Sequence, residues 1–263
     1  MLDKIKIIFF GDITGSLARQ ALKKIIPEWK NQYQINLFIG NVENLAHGKG
    51  VTKKTLLEMS EAGIKLFTGG NHIWSKEDID EISKTTNFKI AAPANDSRTP
   101  QKCLYQNITI NDNKLFIINL SGRVFMQNDT LSNPFLKIDE ILKKIPENSN
   151  IIVDLHAEST SEKRALGLYL DGKVSAVVGT HTHIPTADAQ ILKKGTGYIT
   201  DIGMVGPFPS VLGVKSEIII KKFITEKPLR HELPETGKIE INAVLLEIEN
   251  NKTTNIQHLR KII

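Results

Sequence analysis

Short apolar runs recur along the chain, and their length and spacing limit the fold more than any other feature: KIKIIFF, INLFIG, IKLFTGG, KIAAP, KLFIINL, NIIVDLH, SAVVGTH and GYITDIG. Each is too short for a buried helix, most are rich in Ile, Val and Phe, and several lack polar alternation, which predicts strands covered on both faces. Helical patterns lie between them, over 16–30 (SLARQALKKIIPEWK), 52–63 (TKKTLLEMSEAG) and 135–145 (FLKIDEILKKI). Alternation of this kind predicts a layered α/β fold with a mixed central β-sheet flanked by helices. After Ile202 the pattern changes. EIIIKKFIT (217–225) and KIEINAVLLEIENNKTTNIQHLRKII (238–263) read as antiparallel strands, the latter a hairpin turning near Asn250 and Asn251, and GMVGPFPSVLG (203–213) reads as a loop. With no linker, repeat or low-complexity tract, a single domain over 1–263 is expected, a length that suits one core.

Composition excludes several classes. A 40% hydrophobic and 24% charged chain is that of a soluble globular protein, and IKIIFFG falls far short of the roughly 20 apolar residues of a membrane span. That run also lacks a small-residue cleavage site, so a cytoplasmic protein is expected. Cys103 is alone, which rules out an intrachain disulfide and fits a reducing compartment. The net charge of +5 comes from 34 Lys and Arg against 29 Asp and Glu, scattered as pairs such as Lys23-Lys24 and Lys143-Lys144. No basic block or aromatic stripe marks a nucleic-acid surface.

The polar residues at the end of each predicted strand are more informative. FFGDITG supplies Asp12; FIGNVENLAHGKG supplies Asn41, Glu43, Asn44 and His47; FTGGNHIW supplies Asn71 and His72; VDLHAE supplies Asp154, His156 and Glu158; and VVGTHTH supplies His181 and His183. In open α/β sheets ligands bind beyond the carboxyl ends of the strands, so these groups should converge in one crevice. Carboxylate, amide and imidazole donors together suit iron, manganese or zinc better than calcium. Asp12, Glu43, Asn44, Asn71, His156, His181 and His183 exceed what one tetrahedral site needs and suffice for two metals, with Glu43 as the natural bridge. Paired metals about 3.5 to 4 Å apart serve in-line attack of hydroxide on phosphorus.

Alternatives fail on spacing. AHGKGVT is not a P-loop, because Glu43 stands at the first glycine position and Gly50 follows Lys49. GTGYITDIG carries Thr200 where a dinucleotide fingerprint has its third glycine, and no G-x-S-x-G elbow exists. Asp12 could cap the following helix, although Ser16 can do that. Asp201 is expected to support an imidazole. Tyr169, Trp74 and the GPFPS loop are candidate pocket walls.

The series GDITG, NVEN, GGNHIW, DLHAE and GTHTHIPTAD resembles the calcineurin-like metallophosphoesterase superfamily, and its order and wording are similar to the YmdB-like branch of bacterial phosphodiesterases. Two departures from the general pattern, Ile13-Thr14 after Asp12 and Glu43 in place of a bridging Asp, are features of that branch. The resemblance implies that Asp12, Glu43, Asn44 and His183 hold one metal and that Glu43, Asn71, His156 and His181 hold the other, with iron or manganese expected. It implies a phosphodiesterase for cyclic nucleotides, 2',3'-cyclic species favoured, with hydroxide bridging the two metals as nucleophile and His72 as general acid. His47 and Lys49 remain candidates for substrate phosphate contacts. A different phosphodiesterase, phosphomonoesterase or RNase activity and a non-catalytic nucleotide sensor are the alternatives, and RNA or a second copy of the chain stays open as a partner.

Overall fold

The computed structural model describes residues 4–126 and 128–263. Its strands are β1 (Ile5–Ile13), β2 (Leu37–Asn41), β3 (Ile64–Thr68), β4 (Ile90–Ala91), β5 (Gln106–Ile110), β6 (Asn113–Ser121), β7 (Asn150–His156), β8 (Ala176–Thr180), β9 (Gln190–Ile191), β10 (Gly197–Ile199), β11 (Met204–Phe208), β12 (Lys238–Glu249) and β13 (Lys252–Ile262). The helices are α1 (Gly15–Tyr33), α2 (Lys53–Ala62), α3 (Ile79–Thr85), α4 (Pro134–Leu142), α5 (Thr160–Tyr169) and α6 (Ser216–Thr225).

The layered mixed architecture is present, and the strands divide between two sheets. One runs in the order β13-β12-β11-β1-β2-β3-β4 and the other β5-β6-β7-β8-β10-β9. Pairing is parallel among β11, β1, β2, β3 and β4 and among β6, β7, β8 and β10, with antiparallel strands at the margins. The two sheets face each other across an apolar layer, and helices cover both outer faces. Side-chain alternation in β1 shows how one run serves two layers: Ile5, Ile7 and Phe9 enter the layer between the sheets, where Ile117, Ile152 and Val178 lie, whereas Ile8 and Phe10 pack with Ala18, Leu22 and Ile25 of α1. On the far side, Ile118, Val153 and Val177 pack with Ile138 and Ile141 of α4 and Leu166 of α5.

The C-terminal hairpin turns at Asn250 and Asn251, whose φ values of 50° and 59° are those of a type I′ turn, for which Asn is suited. Three local readings change. The segment 217–225 belongs to helix α6 and is not a strand: β12 is already paired with β1, β11 and β13, so this β-branched run does not pair with it and satisfies its backbone internally. Half of the predicted Pro/Gly-rich loop is strand β11, aligned parallel to β1. Thr14 stands at the N-cap of α1 without a side-chain hydrogen bond there, and Ser16 lies inside the first turn, so neither Asp12 nor Ser16 caps the helix.

Candidate metal centre

The carboxyl ends of β1, β2, β3, β7 and β8 meet at one edge of the sandwich. Register sets this up: Asp12 aligns with Asn41, Asn41 with Thr68, and His156 with Thr180. Asp12, Glu43, Asn44 and His156 are buried there, His72, His181 and His183 are half-buried, and Asn71 is exposed. The Asn71 amide nonetheless turns its Oδ1 inward.

Two nests of donor atoms share Glu43. In the first, His156 Nε2 lies 3.0 Å from Glu43 Oε2, from Asn71 Oδ1 and from His181 Nδ1. In the second, Asp12, Glu43 and His183 present ligand atoms within 4.8 Å of one another, as Glu43, His156 and His181 do in the first. The approach leaves no space for a side chain at Gly70, where a Cβ would sit 2.3 Å from Glu43 Oε2 and 2.5 Å from His156 Nε2. Asn44 turns its Nδ2 to Glu43 Oε1 at 3.0 Å and to His183 Nε2 at 3.1 Å, and its Oδ1 to His72 Nδ1 at 3.1 Å. An Asn amide is nearly symmetric, and a half-turn exchanges these two atoms.

Every imidazole of the nests is anchored through its outer nitrogen. His156 Nδ1 is 2.9 Å from Thr180 Oγ1, whose own proton goes to Asp154 Oδ1. His181 Nε2 is 3.1 Å from Glu158 Oε2, and His183 Nδ1 is 3.2 Å from the Leu212 carbonyl. These partners accept from the outer N–H, so in the neutral tautomers the inner lone pairs all aim at the same small volume. Lone pairs facing one another at 3.0 Å repel unless a proton or a cation lies between them. Asp12 Oδ1, buried without any hydrogen-bond partner, is in the same position. The oxygen and nitrogen donors, their spacing and the unpaired carboxylate oxygen therefore fit divalent transition metals.

The protonation pattern reflects that crowding. Burial opposes the charge on Glu43, yet the positive charge and hydrogen bond of His156, with help from His72, hold its carboxyl well below the ordinary range. Burial raises Asp12, against the pull of His183 and His156. Burial alone would depress His156, but Glu43, Asp12 and Asp154 push it up to about 9. Burial and the neighbouring His156 charge push His181 down to about 3. A single proton on His156 thus does, without metal, part of the work of a cation.

All of the residues expected as ligands from the sequence are gathered here. His72 stands beside them, its backbone N–H donating to Glu43 Oε2 and its Nδ1 facing Asn44. His47 and Lys49 are exposed on the neighbouring turn, where the Lys49 charge contributes, after burial and Glu43, to the environment of His72. Asp201 is a correction: it accepts from Lys163 Nζ and from Thr182, between the two histidines, and touches no imidazole. Tyr169 packs on Phe135 and donates to Asp139 on the outer helical layer, away from the centre. Trp74 lies under Arg98 with 5.0 Å between guanidinium and ring centre. Asn41, Asp154 and Glu158, expected at the crevice from their strand-end positions, lie there as supports, whereas nothing in the sequence singles out Thr180 and Lys163. Only strand register, which sets the DLH and GTH endings side by side, could have suggested the Asp154, Thr180 and His156 chain. Another cavity, about 930 Å³, opens at the opposite edge among the turns at Asp112, Asn148 and Asn250, and its lining holds no comparable cluster.

Facing sheets that gather carboxylates, amides and imidazoles into two nests around one shared glutamate define the calcineurin-like metallophosphoesterase class. Within it, the chain belongs to the YmdB-like family, whose model, described as YmdB-like protein, matches residues 8–259. It is 42% identical over 262 residues to the 2',3'-cyclic-nucleotide 2'-phosphodiesterase of Bacillus subtilis, an alignment that covers 98% of this chain and 97% of that protein. The crystal structure of a novel phosphatase from Mycoplasma pneumoniae superimposes with a TM-score of 0.90 at 34% identity, covering 100% of this chain and 95% of that one. A 5'-nucleotidase precursor from Thermus thermophilus shares the fold at a TM-score of 0.57 and 13% identity, over 99% of this chain and 55% of its own. Among the described residues no helix is long and apolar enough to cross a membrane.

Proposed function

We propose that this chain is a metal-dependent phosphodiesterase that opens 2',3'-cyclic nucleotides. Asp12, Glu43, Asn44 and His183 hold one divalent cation, and Glu43, Asn71, His156 and His181 hold the other, iron or manganese in both. The observation that carries the reading is the convergence of three anchored imidazoles and the unpaired Asp12 Oδ1 on the shared carboxylate of Glu43. The substrate class is supported by the 42% identity to a protein named for 2',3'-cyclic nucleotides. A lone buried cysteine fits a reducing compartment, the cytoplasm.

Cations bound there lower the pKa of water and neutralise charge building on the phosphoryl oxygens. The chain's own residues do the rest. Glu43 offsets positive charge in both nests. Asn44 couples the centre to His72: its Oδ1, 3.1 Å from His72 Nδ1, accepts the Nδ1 proton of the imidazolium form and leaves the Nε2 proton free to be given up. That proton passes to the leaving ribose oxygen. A water molecule releases one proton to solvent as its oxygen forms the new bond to phosphorus, the bond from phosphorus to O2' breaks, and O2' leaves as a hydroxyl with the His72 proton, so the product is the nucleoside 3'-monophosphate.

The test is to incubate manganese- or iron-loaded protein with 2',3'- and 3',5'-cyclic nucleotides and separate the products. Nucleoside 3'-monophosphates from the 2',3'-cyclic substrates, absent after chelation and restored by metal, are expected. Equal turnover in chelated protein, or no turnover of any 2',3'-cyclic nucleotide, would overturn the reading.

A further inference from the structure

Beyond Asn71 and His181 the centre opens into a cavity of about 330 Å³, within the range of small-molecule sites. Its wall includes Arg98, Ser121, Phe125 and Asn128. Phe125 is the anomaly. Its side chain is 84% exposed, and its φ of 61° is a left-handed conformation that bulky residues rarely adopt. Neither burial nor ordinary turn chemistry accounts for a phenylalanine at that position.

The backbone that carries it is firmly held. Glu162, a buried carboxylate on α5, accepts from the N–H of Arg123 at 3.0 Å and of Val124 at 3.1 Å. A Cβ at Gly122 would strike Ala157 and Glu162, so the turn is pressed against α5. Met126, the residue after Phe125, packs into the outer core. Phe125, in the cavity wall, is therefore carried on a turn anchored at Arg123 and Val124, at little ordering cost on binding. Strain maintained around an exposed side chain points to a use for that side chain.

We propose that Phe125 is the platform on which the base of the nucleotide stacks while its phosphate lies at the centre between Asn71 and His181. This rests on the reading of the chain as a cyclic-nucleotide phosphodiesterase. An aromatic face accepts any base, because every base has a π-surface, so the platform confers preference for nucleotides over base-free phosphodiesters without choosing among bases. Asn71, Ser121, Asn128 and Arg98 line the same cavity and supply its polar groups.

The experiment compares wild type, Phe125→Ala and Phe125→Trp, all metal-loaded, on adenosine 2',3'-cyclic phosphate and on methyl riboside 2',3'-cyclic phosphate, which has the same reacting group and no base. Phe125→Ala is expected to lose about 5- to 150-fold in kcat/KM on the nucleotide, chiefly through KM. It should leave the base-free substrate and the melting temperature unchanged, and Phe125→Trp should restore the nucleotide rate. Equal losses on both substrates, or none on either, would overturn the proposal. Calorimetric binding of adenosine 3'-monophosphate and of ribose 3-phosphate reads the platform without turnover. If wild type hydrolyses neither substrate, the assigned reaction fails, and the platform then stands or falls on whether Phe125→Ala weakens the adenosine compound alone.

Discussion

Lys163 and Asp201 form an ion pair of 2.6 Å in which both side chains are 1% exposed, beneath the turn that carries His181 and His183. The same Asp201 oxygen accepts from the N–H and hydroxyl of Thr182, and the other accepts from Gly203 N–H. Gly203 in turn accepts from the N–H of Asp12 through its carbonyl. One buried carboxylate therefore ties together backbone from both nests, with Lys163 as its paired cation.

Lys163→Met is expected to destabilise the protein by about 3 to 5 kcal/mol, because it leaves Asp201 as an uncompensated buried charge. Urea unfolding measures this, and metal analysis should show losses from the centre although no ligand is changed. Lys163→Met with Asp201→Asn should recover much of the stability. A single variant as stable and as metal-rich as wild type would show that the pair positions nothing.

Glu43→Gln removes the only carboxylate common to both nests. With Asp12 as the remaining anion, metal content should fall from close to two per chain, and turnover should drop by a larger factor than for any change outside the nests. Retention of both metals at normal rates would mean that Glu43 bridges nothing.

His72→Ala separates a proton donor from a ligand. The variant should keep its metals and lose about 10²- to 10⁴-fold on a 2',3'-cyclic nucleotide, whose ribose oxygen leaves poorly without a proton. On bis(p-nitrophenyl) phosphate, with a good leaving group, the loss should be clearly smaller. Equal losses with a missing metal would make His72 a ligand, and equal losses with full metal would leave it stabilising phosphoryl charge.

The metal-free protein should lose stability on the alkaline side. His156 titrates at about 9 in the folded state against an ordinary value of 6.5, so the folded form binds the extra proton. Its contribution is fully present below 6.5 and is lost as pH rises through 9, on the order of 3 kcal/mol. A divalent cation displaces that proton, so the alkaline loss should vanish on metal loading and binding should release protons near neutral pH. Melting temperatures from about pH 6 to 10, with and without manganese, check both. A flat profile for the metal-free protein would show that His156 holds no such proton.

Composition and pattern were enough for the mixed α/β class and for the list of groups at the centre, but not for the division of the strands between two sheets. Near-continuous apolar runs such as IKIIFF must bury both faces, and any parallel arrangement of them carries Asp12, Glu43, His156 and the His-Thr-His turn to the same edge, because each of these lies at the end of its strand or within two residues of it. The Asn250-Asn251 turn was equally legible, since its conformation depends on local chemistry. Other features required the packed chain. Whether Glu217 to Thr225 is strand or helix depends on whether β12 has a free edge, which no local pattern records. That Asp201 serves Thr182 and Lys163, that Thr180 and Asp154 hold His156, and that Phe125 lines the cavity are all contacts between residues far apart in the chain, decided by sheet register and by the turn anchored on Glu162. Apolar periodicity reports which face of an element is buried, but a hydrogen bond between side chains depends on where two separate elements come to rest against each other.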